Sequence, residues 1–451
     1  MLRRLLFRNF RLIYKSSRWI RHRFTATGLL VFTIMIIAGV FGIDTRQTLA
    51  FQIFALMATL LILALFSIVS FRGRFRLHRI LPEFATVGQP LRYRCVIENL
   101  ISRKQKGLVL IDELDTELPE FNEFLSTRDP QDIKRNWFDR YVGYPRLVNL
   151  IQKKRGGSIN PVEIEFISAK GQADSHIRLT PLRRGYLNFH STRVARADPL
   201  GLIRAFKKIN LKDSMLVLPK LYTVPPIQLQ GNRKYQHGGM NLASSVGDSQ
   251  EFMSLREYRP GDPMRSIHWR SYAKRTQPVV IEYQDEFFVR QGLILDTFSG
   301  PHTDEVFEEA VSVAASFAVA VKHQDALLDL MFIGTQAYRF TSGRGLSTTE
   351  SMLEILACVE PCQEKSFDRL QHLVLEHGTE SSGFICILLG WDKNRQSFVR
   401  LLETMAVPSL VLIITDNGVD DSNDITTMTD LVKIHVLKAD EIQMGLDNIQ
   451  L

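Results

Sequence analysis

Two long stretches near the N-terminus, residues 24–43 and 49–71, contain no charged side chain. Each reaches the roughly 20 apolar residues that an α-helix needs to cross about 30 Å of hydrocarbon. The five residues that join them, 44–48, contain one acid and one base. The sequence therefore predicts an N-terminal hairpin of two transmembrane helices, with short ends and most of the chain outside the bilayer.

Basic residues crowd the outer ends of this hairpin. They are Arg3, Arg4, Arg8, Arg11, Lys15, Arg18, Arg21 and Arg23 before it, and Arg72, Arg74, Arg76 and Arg79 after it. Under the positive-inside rule both outer ends stay in the cytoplasm. We therefore expect a multi-pass protein of the inner (plasma) membrane with cytoplasmic N- and C-termini. A cleaved signal peptide and two buried helices of a soluble domain are the alternatives.

The net charge of +8 is explained by the first 43 residues, which carry eight bases and no acid. The remainder is neutral, so the folded part has no basic excess for a nucleic-acid backbone, and we expect no nucleic-acid binding. The four cysteines form no CxxC pair, which fits a reducing cytoplasmic setting.

Short alternating runs between residues 80 and 227 predict an antiparallel β-sandwich. The runs are 91–98, 107–111, 162–167, 177–179, 186–194 and 215–218. A charged and aromatic stretch, 119–161, interrupts them as an insertion in which some helix is expected.

A linker and a motif-bearing segment, 228–288, precede a third region, 289–451, where buried runs alternate with helical patterns. The predicted strands are 292–295, 327–332, 384–389, 410–414 and 431–436. The predicted helices are 307–323, 348–359, 367–376, 394–406 and 439–446. This order predicts a doubly wound, mostly parallel Rossmann-type sheet, in which ligands bind beyond the carboxyl ends of the strands.

Asp296 follows the first of these strands, with Thr297 and Ser299 close behind. An acid and hydroxyls at a strand end can hold a hard cation such as Mg²⁺. The turn resembles the metal-ion-dependent adhesion site of von Willebrand factor A-like domains, although Phe298 and Gly300 stand where that family has serines. The resemblance implies Asp296, Ser299, Thr348 (or Thr349) and Asp392 as ligands. The alternative is that Asp296 caps the following turn.

The most distinctive segment is 251–274. It contains Glu251, Phe252, Leu255, Arg256, Tyr258, Pro260, Gly261, Asp262, Arg265, Trp269, Arg270 and Lys274. These residues resemble the motif of the domain of unknown function 58 family, in which it lies just before a von Willebrand factor A-like domain. The paired apolar helices and the run 198–202 are also similar to that family.

Two roles are open for this motif. Its proline, glycine and aspartate form a turn, and Trp269 with the arginines clamps the cytoplasmic domains together or forms a docking surface for a partner. Asp262, His268 and Glu251 could be read as acid and base, but their spacing matches no catalytic motif. Cys358 and Cys362, four apart on a predicted helix, could bind a metal or pack as small apolar groups.

The function expected is a membrane-tethered scaffold or adaptor that binds a protein partner through its cytoplasmic α/β domain. The family resemblance implies a partner of the MoxR-type AAA+ ATPase class and a role in assembling envelope complexes. Two alternatives stay open: an enzyme acting on membrane or envelope material, and a structural membrane component.

Overall fold

A computed structural model describes residues 2–41, 48–69, 71–115, 118–126, 136, 143–225, 252–262, 264–275, 277–283, 290–300, 304–322, 327–343, 348–362, 366–416 and 431–449. The chain divides into two compact units, Met1–Lys220 and Leu221–Leu451. Most of the predicted linker, with Glu251, lies outside the described residues.

The first unit contains five helices among its described residues. They are α1 (Leu2–Arg23), α2 (Ala26–Phe41), α3 (Thr48–Val69), α4 (Phe121–Ser126) and α5 (Tyr144–Lys153). The stretch Leu49–Val69 of α3 is long and apolar enough to cross a membrane, whereas α2 is apolar but has only 16 residues. Helix α1 was not predicted, because its dense arginines were interpreted only as a topology signal.

Ten strands follow α3 in this unit. They are β1 (Phe75–Ile80), β2 (Phe84–Thr86), β3 (Leu91–Asn99), β4 (Gln105–Leu114), β5 (Gly157–Ile159), β6 (Val162–Ile167), β7 (Gln172–Pro181), β8 (Gly185–Ala197), β9 (Arg204–Ile209) and β10 (Asp213–Leu218). One sheet has the order β1-β3-β7-β5, and the other has the order β2-β10-β8-β4-β6 with β9 also paired to β8. Pairing is antiparallel except between β2 and β10.

The two sheets share one hydrophobic core, to which Tyr93 and Ile177 come from one sheet and Leu110 and Phe189 from the other. Alternating side chains point into this core, as the period of two in the sequence predicts. Within the insertion, the described residues include α4 and α5, so the expected helix is present there.

Strand β1 begins inside the basic flank of the predicted hairpin. Its Arg79 is buried and donates to both carboxylate oxygens of Asp112 at 3.0 and 3.1 Å and to Asp213 at 2.6 Å. Not every base of the flank can therefore act as a topology signal. Arg79 belongs to a paired, buried network in the sheet core and cannot face lipid headgroups.

The second unit contains eight strands and six helices among its described residues. The strands are β11 (Phe252–Glu257), β12 (Val279–Tyr283), β13 (Arg290–Leu295), β14 (Leu327–Ile333), β15 (Ala337–Ser342), β16 (Gly383–Leu389), β17 (Ser409–Thr415) and β18 (Val432–Lys438). The helices are α6 (Trp269–Arg275), α7 (Asp304–Lys322), α8 (Thr349–Cys358), α9 (Asp368–His377), α10 (Lys393–Thr404) and α11 (Ile442–Asp447).

A mixed six-stranded sheet of order β15-β14-β13-β16-β17-β18 forms the centre of this unit. Every pairing is parallel except that of β14 with β15. Strands β13 and β14 are buried at every residue, and α9 and α10 pack their apolar faces into one core with the sheet. Edge strand β15 was not predicted, because its side chains are mostly half-buried and its sequence forms no continuous apolar run.

Candidate functional site

The distinctive motif comprises β11 and most of the long connection from β11 to β12, two strands that pair as an antiparallel hairpin. Between the strands lie a turn at 259–262, a short 3₁₀ helix, Met264–Ser266, and α6. Two backbone hydrogen bonds hold this connection against β12: Tyr258 N donates to Pro278 O at 3.0 Å, and His268 N donates to Val279 O at 2.8 Å. The motif is therefore one compact element, in which Phe252 and Leu255 lie on β11.

An ion pair fixes the turn. Arg256 donates from Nη1 and Nη2 to the two oxygens of Asp262, each at 2.7 Å, and Arg259 N adds a bond of 2.8 Å to the same carboxylate. These donors lower the pKa of Asp262 to about 2, the bonds from Arg256 having the largest effect. Gly261 has φ +110°, a conformation that other residues rarely adopt, so glycine is required between Pro260 and Asp262.

The outer surface of the motif exposes large apolar side chains. Met264 is 73% exposed, Trp269 is 62% exposed and Tyr272 is 40% exposed. The rings of Trp269 and Tyr272 contact each other edge to face, with centroids 6.1 Å apart. We call these three side chains the Trp269 patch. The other predicted motif residues Arg265, Arg270 and Lys274 are also exposed.

The acid and base suggested by the sequence do not form a catalytic pair in the described residues. The Asp262 carboxylate accepts from Arg256 and Arg259, whereas His268 Nδ1 lies 2.7 Å from Ser271 Oγ within the first turn of α6. The described partners of both side chains thus lie within the motif itself, and Glu251, the third residue suggested, lies outside the described residues.

A second site lies where the sequence placed it, at the carboxyl ends of β13 and β16. Asp296, directly after β13, has no exposed surface and accepts from Phe298 N at 2.9 Å and Leu389 N at 3.0 Å. Arg395, in the first turn of α10, donates from Nε to Asp296 Oδ2 at 2.6 Å. Burial raises the pKa of the Asp296 carboxyl, an effect that Arg395 and the two backbone N–H groups oppose.

Arg395 also joins the two predicted aspartates. It donates from Nη1 to Asp392 at 2.6 Å and from Nη2 to the carbonyl oxygen of Phe298 at 2.8 Å. Asp392 is the N-cap of α10 and accepts from Arg395 N at 2.9 Å. Sequence reasoning missed Arg395, although its position three residues after a capping aspartate places it in the first helical turn, beside the strand ends.

The other predicted ligands lie in different surroundings. Ser299 is buried in the turn after β13, and Thr348 is the N-cap of α8, where its Oγ accepts from Ser351 N at 3.3 Å. In the described part of the chain no group of three or more His, Cys, Asp and Glu side chains could hold a metal ion. The Arg395 guanidinium occupies the place of a cation at Asp296, so the residues of this strand end form an ion pair and do not fit a Mg²⁺ shell.

A groove opens beside these strand ends, between the end of β14 and the end of α8. Its volume is about 800 Å³, and its walls include Phe332, Tyr338, Cys358 and Cys362. The predicted shared helical face of the two cysteines is wrong, because α8 ends at Cys358 and Cys362 lies beyond it. The two thiols instead line the same groove.

In the first unit, the short run 198–202 is a loop that holds the start of α2. Asp198 Oδ1 accepts from Leu202 N at 2.6 Å and Ile203 N at 2.7 Å, which closes the loop on itself. Thr25 then donates from its hydroxyl to Gly201 O at 2.5 Å and from its backbone N–H to Leu202 O at 3.1 Å. The loop therefore fixes the angle at which α2 leaves the β-rich part.

Comparison with known proteins agrees with the resemblance seen in the motif. Residues 254–388 match the model of a family described as protein of unknown function DUF58. The chain is 32% identical over 181 residues to the "Uncharacterized protein YeaD" of Bacillus subtilis (strain 168), a match that covers 40% of this chain and 44% of that protein. The match thus spans less than half the length of this curated relative.

Solved structures give weaker matches. A PapD-like domain of human CEP192 is 10% identical, with 32% of this chain and 86% of that chain covered and a TM-score of 0.17. The E. coli alpha-2-macroglobulin is 14% identical, with 40% and 9% covered and the same TM-score. At such scores neither likeness supports an inference about fold or function.

Proposed function

We propose that this chain, which belongs to the DUF58 family of unknown function, is a membrane-tethered adaptor that binds a protein partner through its second unit. The family resemblance in the motif suggests a partner of the MoxR-type AAA+ ATPase class and a role in assembling envelope complexes. The single observation that carries the proposal is the Trp269 patch, an exposed aromatic surface on a rigid support.

The composition of the Trp269 patch is that of an interface. Tryptophan, tyrosine, methionine and arginine are enriched where proteins bind one another, and a tryptophan that is 62% exposed leaves a large apolar area in water. Arg256, also part of the motif, is held by Asp262, so its role is to shape the turn. The exposed area of Trp269 within the second unit supports the docking interpretation of the motif.

Preorganisation strengthens this interpretation. The hairpin pairing of β11 with β12 and the fork from Arg256 to Asp262 hold the patch in one conformation before a partner arrives. A surface that is already ordered loses less conformational entropy on binding. A segment that served only as a connection between domains would not need these bonds.

The strand order of the second unit supports a von Willebrand factor A-like fold for it. Numbered within the sheet, the order is 3-2-1-4-5-6, with the third strand antiparallel at the edge. Asp296 lies at the switch point between β13 and β16, where such sheets bind ligands. Docking through the Trp269 patch needs no metal ion at this aspartate, where Arg395 already supplies the positive charge.

Tethering is supported by the helices of the first unit. Helix α3 can span a bilayer by length and composition, and α2 packs along it, so we propose that the two form a hairpin in the inner (plasma) membrane. The asymmetry of the basic flanks supports, as part of this proposal, a cytoplasmic location for both termini. A membrane-impermeant label that reached residues beyond 71 from outside the cell would contradict this topology.

Affinity capture tests the adaptor function. The full-length protein is purified from native membranes as wild type, as Trp269→Ala, and as Leu375→Ala, a matched control because Leu375 is an exposed apolar residue of α9 in the same unit. We expect a co-purifying protein in near-stoichiometric amount with wild type and Leu375→Ala, reduced at least several-fold with Trp269→Ala. Equal capture by all three proteins would reject the Trp269 patch as the docking surface.

A further inference from the structure

Helix α1 has two apolar faces that point in opposite directions. One face is buried: Phe7 and Phe10 pack with Phe124, Leu147 and Leu150 of α4 and α5 in a separate small core. This contact joins α1 to the β-rich part of the first unit. It also leaves the opposite side of α1 exposed.

The exposed side bears a stripe of Leu5, Leu12 and Trp19, which are 54%, 58% and 57% exposed. Because these residues are seven apart, they line up along the helix within about 20° per step. At about 100° per residue, Phe7 and Phe10 lie roughly 140–160° around the axis from Leu12. The stripe therefore has no partner within the core that buries the phenylalanines.

Positive charge borders this stripe. Arg8 and Lys15 are exposed and lie within about 60° of Leu12 around the helix axis. In all, α1 contains eight basic residues and no acidic residue. An apolar stripe edged by cations is typical of helices that lie in the plane of a membrane surface and contact anionic headgroups.

The position of α1 in the chain fits such a surface. Helix α1 ends at Arg23, and α2, the first apolar helix of the hairpin, begins at Ala26. Trp19 thus lies one to two helical turns before the apolar run, at the depth where tryptophan is enriched in membrane proteins. The bridge between Phe24 and Ile203 fixes the break between the two helices.

We propose that α1 lies in the headgroup layer of the cytoplasmic leaflet, with Leu5, Leu12 and Trp19 inserted and Arg8 and Lys15 bound to anionic phospholipid headgroups. This inference rests on the proposed anchoring by α2 and α3. The surface favours lipid because α1 carries eight basic residues and no acidic residue. A protein groove would have to supply negative charge along the whole length of α1 as well as an apolar slot.

Photo-crosslinking in proteoliposomes tests the proposal on the full-length chain. A photo-activated side chain replaces Leu12, and in separate proteins it replaces Leu63 of α3 or Tyr186 of β8, both of which are exposed. The vesicles contain phosphatidylcholine, with phosphatidylglycerol as a minor component. Position 63 is the control for hairpin insertion, and position 186 is the control for chance contact with vesicles.

We expect lipid adducts at positions 12 and 63 but not at 186, with phosphatidylglycerol enriched several-fold over its bulk share at position 12 only. Arg8→Gln with Lys15→Gln should return that share to the bulk value without loss of the adduct at 63. Adducts of position 12 with protein, with a second copy or with water alone would overturn the proposal, as would a bulk share of phosphatidylglycerol there. Failure at 63 would reject the anchoring, and neither result alters capture through the Trp269 patch.

Discussion

Arg395 donates from Nε to Asp296 Oδ2 at 2.6 Å, and both side chains are buried at the carboxyl edge of the sheet of the second unit. The same guanidinium reaches Asp392, so one cation of the chain's own joins the two acids that the sequence suggested as metal ligands. A site that resembles a metal centre in sequence is thereby built as a paired ion network.

The first prediction concerns this pair. Arg395→Ala leaves the Asp296 carboxylate buried without a countercharge, and removal of one partner of a buried pair costs about 3–5 kcal/mol of the free energy of unfolding. The melting temperature of the full-length protein in detergent should fall by several degrees. Arg400→Ala, an exposed change on the same helix, should alter the free energy by no more than about 0.5 kcal/mol. Equal losses in the two variants would show that the ion pair is not the cause.

The second prediction concerns metal. A ligand that binds only the folded state raises the melting temperature by mass action. Because Arg395 occupies the cation's place at Asp296, the wild type should melt at the same temperature in Mg²⁺ and in chelator. A melting temperature that is higher in Mg²⁺ for the wild type, but not for Asp296→Asn, would support the metal-dependent site instead.

The third prediction concerns pH and the turn of the motif. Asp262 has its pKa lowered to about 2 by Arg256 and the backbone of Arg259. A carboxyl with a depressed folded pKa stabilises the folded state above its unfolded pKa, and this contribution is lost as pH falls towards the folded pKa. The melting temperatures of wild type and Asp262→Asn should therefore differ by a constant amount near neutral pH and converge as pH approaches 2. If the melting temperatures of wild type and Asp262→Asn still differ by the same amount at that pH, the ion pair does not hold the turn.

The fourth prediction concerns the loop at the start of α2. A Cβ at Gly28 would lie 1.9 Å from the carbonyl oxygen of Leu202, so Gly28→Ala must push the helix and the loop apart. Overpacking of this kind costs roughly 1–3 kcal/mol, and the melting temperature should fall. Gly39→Ala on the same helix meets only the ring of Phe54 at 3.2 Å and serves as the control. If the two variants melt alike, the loop does not hold α2.

Much of the fold could be predicted because alternation and buried runs are local signals. Strand β6 has the predicted bounds, and the five strands that apolar runs indicated in the second unit are all present, although β18 is buried at only two of its seven residues. Strand β1 could not be predicted, since Arg76 and Arg79 were already explained as a membrane flank. Only the fold reveals that Arg79 turns inward to reach Asp112, 33 residues further along the chain.

The residues of the candidate sites could likewise be predicted only in part. Asp296 and Asp392 could be placed at the sheet edge, because parallel strands bring their carboxyl ends together. The cation between them could not be identified, since an arginine at the first turn of a helix points inward or outward according to its neighbours. Likewise, Trp269 is a large apolar residue that sequence alone would sooner bury, and only the structure shows that it is 62% exposed.

The adaptor proposal is tested most directly by a photo-activated side chain at position 269 of the full-length protein in native membranes, with the same side chain at Leu375 as the control. We predict one discrete protein adduct at position 269, absent at 375 and absent when Asp262→Ala releases the turn. An absence of protein adducts at 269, or the same adducts at both positions, would contradict a docking role for this surface.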